Sequence, residues 1–145
     1  MIDTLLAVKI LEMRVVINTC YGGFSLSDKA EQEYQNRTGH EDSYLVDRED
    51  PVLINIIEEM GTEAAGTFAK LKILEIPDVE YSIHEYDGLE SIKFHPEKTL
   101  VEQMLLVDSS LPSEEYKAAV LMILERYNSD CRKVDTYYGR ARRKN

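Results

Sequence analysis

Apolar and polar positions follow two different periods along this chain. From Met13 the sequence reads MRVVIN, and Val15, Val16 and Ile17 form an unbroken apolar run of the kind found in strands buried on both faces. That run predicts a central strand. It stops at Cys20, turns through Gly22 and Gly23, and restarts as a charged segment in which Leu26, Ala30 and Tyr34 recur every four residues. This spacing predicts a helix that Ser25 or Ser27 can cap, with Asp28 in the favourable first turn and Gly39 at its end. Residues 5 to 11 are apolar enough for either a strand or a short helix.

The second helix carries stronger punctuation. Asp50 stands as its cap, Pro51 at the first position, Val52, Leu53, Ile56, Ile57 and Met60 lie along one side, and Gly61 follows the end. KLKILEI then reads as a strand stopped by Pro77, and VEYSIHEYDGLESIKF as a hairpin turning at Asp87 and Gly88. A two-residue turn sets Tyr81 opposite Phe94 and Ile83 opposite Ile92, a consistent apolar face. It also sets Glu85 opposite Glu90, which destabilises the ladder unless the edge is solvated or a cation sits between them. From Ser113 an amphipathic helix carries Tyr116, Ala119, Val120, Ile123, Leu124 and Tyr127 on one stripe, to be buried against the sheet or a partner.

These elements predict an α/β (α+β) fold: a small central mixed sheet with a β-hairpin, flanked by three or more helices. One domain is expected over residues 1–131, followed by a flexible basic tail, 132–145. A chain of 145 residues can bury an adequate core without disulfides or metals. Cys20 and Cys131 are the only cysteines, so reduced thiols are expected. No apolar run approaches the roughly 20 residues needed to span a bilayer, and the acidic start MIDTLLAVKILEM is unlike a signal peptide. The expected location is the cytoplasm.

Charge is unevenly distributed. Of 17 basic and 27 acidic residues, six basic and one acidic lie in the last 14, so the first 131 hold 11 and 26. An acidic body disfavours general nucleic-acid binding, whereas the basic tail is suited to an acidic partner or a polyanion.

The chemistry-bearing feature is the joint CYGGFSLS. A strand that runs into two glycines and a serine-capped helix can present backbone N–H groups at the positive end of a helix dipole, a recipe for holding a phosphate or carboxylate. The candidate ligand-binding residues are Cys20, Tyr21, Gly22, Gly23, Phe24, Ser25 and Ser27, with Tyr21 or Phe24 stacking on a base or ring. Arg14 and Lys29 bracket the loop as local cations, with Arg37 and Arg48 as further candidates. The pattern is neither a P-loop, which needs a lysine after its last glycine, nor a dinucleotide fingerprint. Cys20 near a helix N-terminus raises a nucleophile hypothesis. The candidate bases His40, His84 and His95 lack diagnostic spacing, and a small buried thiol explains the residue better. His84, Glu85, Asp87, Glu90 and His95 surround one turn, yet in the hairpin register His84 points away from the carboxylates. No catalytic residue, metal or cofactor is therefore assigned.

VVINTCYGGFSLSDKA, followed by REDPVLINIIEEMG, FAKLKILEIP and YSIHEYDGLE, resembles a group of small, mostly uncharacterised proteins of tailed phages, prophages and large DNA viruses, which share the motifs VIN-x-CYGGF-x-LS and EYDG-x-E. The likeness covers residues 14 to about 92 and implies a viral setting, with no catalytic role to carry over. Two expectations of different class follow. The domain binds a phosphorylated small molecule or nucleotide at the joint, in a phage as a non-catalytic sponge for a host defence nucleotide signal. Alternatively it is a structural or assembly protein, homo-oligomeric or bound to a partner, in which the joint is only a tight turn. An enzyme acting on nucleotides ranks below both.

Overall fold

The computed structural model describes residues 12–41 and 46–144, so the ambiguous stretch 5–11 lies outside the described residues. The fold is α+β. The strands are β1 (Glu12–Asn18), β2 (Leu71–Pro77), β3 (Tyr81–Tyr86) and β4 (Leu89–Phe94). The helices are α1 (Asp28–Thr38), α2 (Pro51–Met60), α3 (Pro96–Leu106) and α4 (Ser113–Arg143).

Instead of one central mixed sheet, the described strands form two antiparallel pairs, β1 with β2 and β3 with β4. The reason lies along β1. Val15 to Asn18 are buried as the apolar run demanded. The Val16 N–H donates to the Arg48 carbonyl at 2.9 Å, and the Asn18 N–H to the Glu90 carboxylate at 2.7 Å. Two donors on that strand are thus satisfied by a loop carbonyl and a side chain, and no third strand is required there.

Tertiary contacts divide the chain into two units. The first holds the described residues up to Ile76 together with Ile83–Ile92, the tip of the hairpin. Its core gathers Val16 of β1, Leu26, Ala30 and Tyr34, Leu53, Ile54, Ile56 and Ile57 of α2, and Ala64. α1 starts where the Ser27 hydroxyl accepts the Ala30 N–H at 3.2 Å, and stops at Gly39, whose φ of 74° allows its N–H to reach the Gln35 carbonyl. Asp50 does double duty. One carboxylate oxygen caps α2 through the Val52 N–H at 2.9 Å, and the other accepts the Tyr34 hydroxyl at 2.6 Å, joining α1 to α2. Burial and the adjoining Asp50 carboxylate push the Tyr34 hydroxyl up to about 12.

The second unit holds Pro77–Ser82 and the chain from Lys93 onward. α3 and α4 pack along each other. Beyond α3's reach the C-terminal part of α4 brings Tyr137 and Tyr138 edge-on to Phe94, with ring centroids 5.4 and 5.9 Å away. The stretch from Arg132, expected as a flexible tail, continues α4 through Arg143. At roughly 1.5 Å per residue a 31-residue helix is about 46 Å long. Its sole fully buried side chain is Asp130, with the Lys133 ammonium at 3.4 Å and the Arg126 guanidinium at 4.0 Å.

Candidate functional site

The joint after β1 is organised by a residue the sequence pattern did not single out, Asn18. Fully buried at the strand's end, its amide donates to the Cys20 and Gly88 carbonyls, both at 2.7 Å, and its side-chain oxygen accepts the Lys70 N–H at 2.8 Å. One side chain therefore ties the glycine loop, the start of β2 and the hairpin tip together. The Cys20 thiol, half-buried, donates to the Phe68 carbonyl at 3.2 Å and lies 3.5 Å from the Asn18 side-chain oxygen.

The glycines serve close approach. Gly22 donates its N–H to the Asp87 carbonyl at 3.3 Å, and a β-carbon at Gly88 would overlap the amide nitrogens of Gly22 and Gly23. The Asp87–Gly88 turn thus packs backbone to backbone on the loop, over the amides expected to face an anion. Asp87 and Gly88 have φ of 50° and 87°, the paired positive angles that a two-residue hairpin turn demands.

A charged pair braces this contact. Glu90, 9 % exposed, grips the Arg48 guanidinium with both oxygens at 2.7 and 2.9 Å, while Arg48 also donates to the Val16 carbonyl at 3.2 Å. The guanidinium carbon stands 3.5 Å over the Phe24 ring. The opposition of Glu85 and Glu90 is relieved from both sides: Arg48 neutralises Glu90, and Glu85 is exposed and accepts the Gly88 N–H.

The remaining sequence-selected residues are placed as follows. The Ser27 hydroxyl, besides capping α1, donates to the Glu63 carbonyl at 2.7 Å, and the Ser25 carbonyl accepts the Gly66 N–H at 3.0 Å. Arg14 pairs with Glu58 and Arg37 with Glu33 and Glu59, so both are directed to α1 and α2 surfaces. Lys29 is exposed on the first turn of α1, and Tyr21 is 63 % exposed. Two more rings share that exposure beside the joint: Phe68, 75 % exposed and in backbone contact with Cys20 and Gly22, and Tyr86, 77 % exposed next to Asp87. In the hairpin the His95 ring is held by Ser82 at 2.7 Å and Glu97 at 3.3 Å, and Glu90 by Arg48. Among the described residues no cluster of three metal-ligating side chains occurs.

Most of the large exposed apolar side chains lie elsewhere. Of the 12 large hydrophobic side chains exposed among the described residues, nine lie on α3 and α4: Val101, Met104, Leu105, Leu106, Tyr116, Leu121, Met122, Leu124 and Tyr138. α3 buries none of its residues fully. The sequence signal was present in Ala118–Leu124, seven consecutive apolar residues, too broad a stripe for a helix covered on one side alone.

No family model, no curated protein and no solved structure matches this chain. No helix among the described residues is long and apolar enough to cross a membrane.

Proposed function

We propose that this chain is an assembly protein that docks onto another protein surface through the α3–α4 helical hairpin, with the first unit as its scaffold. The observation that carries this reading is the concentration of nine exposed large apolar side chains on two helices whose one fully buried side chain is Asp130. Contiguous apolar surface rimmed by charge marks interaction sites, and an amphipathic helix gains its stability by covering that face. The CYGGF joint fits the same reading, because the Gly22 and Ser27 N–H groups, the Ser27 hydroxyl and Arg48 are already engaged in holding three segments together. Fluorescence of bis-ANS with dilute, folded full-length protein tests this. Strong emission that falls in Leu105→Ser/Met122→Ser, with an unchanged melting temperature, is the expected result; absence of dye binding would refute an open docking face.

A second reading rests on the three exposed rings Tyr21, Phe68 and Tyr86 around the joint, with Lys29 close by in sequence. They suit a planar base stacked beside a phosphate, in line with capture of a nucleotide signal by a phage-type protein. Titration with a nucleotide panel, read by native mass spectrometry, tests it. Retention of a nucleotide, weakened in Lys29→Glu and by salt, would favour this reading, and a bare chain throughout would dismiss it.

A further inference from the structure

The docking reading leaves open what covers the hairpin, and the charge pattern on α4 answers it. At 3.6 residues per turn, Leu121 lies roughly 180° around the helix from Asp130, the buried residue in the groove between α3 and α4. The face centred on Leu121 is therefore turned away from α3. It carries Lys117, Ala118, Leu121, Leu124 and Glu125, of which Leu121 is 58 % and Leu124 40 % exposed. Beyond Asn128 the same stripe becomes Arg132, Asp135, Gly139 and Arg142, so the apolar contact surface is confined to the first half of the helix.

This short stripe is complementary to itself, but only in one direction. Lys117 and Glu125 stand four residues on either side of Leu121. Laid antiparallel on a second copy about a two-fold axis at Leu121, Lys117 meets Glu125 of the partner subunit, and Glu125 meets Lys117 of the partner subunit. Ala118 then meets Leu124 of the partner subunit, a small side chain against a large one. Lys117 is available for this, since its contact with Glu114 at 3.4 Å is a mostly exposed pair. Parallel pairing would set lysine on lysine and glutamate on glutamate. It would also bring together two C-terminal ends that each carry Arg140, Arg142, Arg143 and Lys144. Antiparallel pairing over residues 114–128 sends these basic ends in opposite directions.

Resting on the docking reading, we propose that the occupant of this face is a second copy of the chain, paired α4 on α4 antiparallel across Leu121, with two symmetric Lys117–Glu125 ion pairs fixing direction and register. Such a pairing is isologous and closes as a dimer.

Sedimentation equilibrium on the full-length protein across the micromolar range tests it. The wild type is expected to dimerise, and Leu121→Asp to be monomeric with its helicity intact. Lys117→Glu and Glu125→Lys are each expected to weaken the dimer about tenfold, and the double exchange to restore it. A parallel dimer would be indifferent to all three, because every variant leaves like charges opposed. A dimer that ignores these substitutions overturns the proposed geometry. A wild type that stays monomeric overturns the second copy as occupant. In that case bis-ANS emission lost in Leu121→Asp would leave the docking reading standing with a different partner, and emission unaffected by Leu121→Asp would remove the docking reading from this face as well.

Discussion

The Glu90 carboxylate accepts the main-chain N–H of Asn18 at 2.7 Å, from a hairpin 72 residues further along the chain. A side chain here does what a neighbouring strand would do, and the same carboxylate is neutralised by Arg48. Glu90→Ala removes an acceptor from a buried N–H and leaves a guanidinium 21 % exposed without its counterion. Breaking such a pair from one side costs about 3–5 kcal/mol when fully buried. Given the residual exposure of Arg48, a loss of about 3 kcal/mol is expected in urea unfolding, with Glu90→Gln costing less because its amide oxygen still accepts from Asn18.

Gly88 has no room for a side chain. Its φ of 87° and the amide nitrogens of Gly22 and Gly23, standing where a β-carbon would go, both oppose substitution. Gly88→Ala is expected to destabilise by about 3 kcal/mol or more, and hydrogen exchange at the Gly22 amide to accelerate with it. Unchanged protection at Gly22 would mean that the loop does not depend on the hairpin tip.

Tyr34 and Asp50 supply a pH dependence. The hydroxyl sits above its ordinary value of 10.0, at about 12, so its contribution is whole below pH 10 and disappears as pH rises toward 12. Tyr34→Phe should cost about 1 kcal/mol at neutral pH, and the gap between variant and wild type should close across that alkaline interval. A gap independent of pH from 9 to about 12 would contradict the hydrogen-bond assignment.

Ser27→Ala deletes an acceptor for the Ala30 N–H and a donor to the Glu63 carbonyl. About 1–2 kcal/mol of stability should go with it in thermal or urea unfolding, and Ser27→Asp should recover the cap but not the donor.

Local punctuation made much of this fold readable. Asp50, Pro51 and Gly61 delimit α2 in the sequence and in the structure because caps act within a few residues, and Asp87–Gly88 fixes the hairpin through φ angles that few other residues adopt. The joint was read in part. CYGGF announced a strand, a tight turn and a helix start, but the partners of its amides come from residues 63–70 and 85–90, and such long-range pairing leaves no periodic trace. The sharpest hint was a conflict: Glu85 opposite Glu90 called for a solvated edge or a cation, and Arg48 neutralises Glu90 while Glu85 stays exposed. Asn18 is inconspicuous in the sequence because a polar residue ending an apolar run looks like a strand terminus, whereas its four hydrogen-bonded neighbours make it a hub. The apolar breadth of Ala118–Leu124 was visible as composition; that one side faces α3 and the other faces outward is visible only once the helices are packed.

Hydrogen exchange of the full-length protein at low and high concentration, followed by peptide-resolved mass spectrometry, tests the central claim most directly. If α4 is a docking helix for a second copy, amides over residues 114–128 slow as concentration rises while those over 132–144 do not change. Exchange that is independent of concentration throughout α4, in a protein shown to remain folded, would contradict self-pairing at this face.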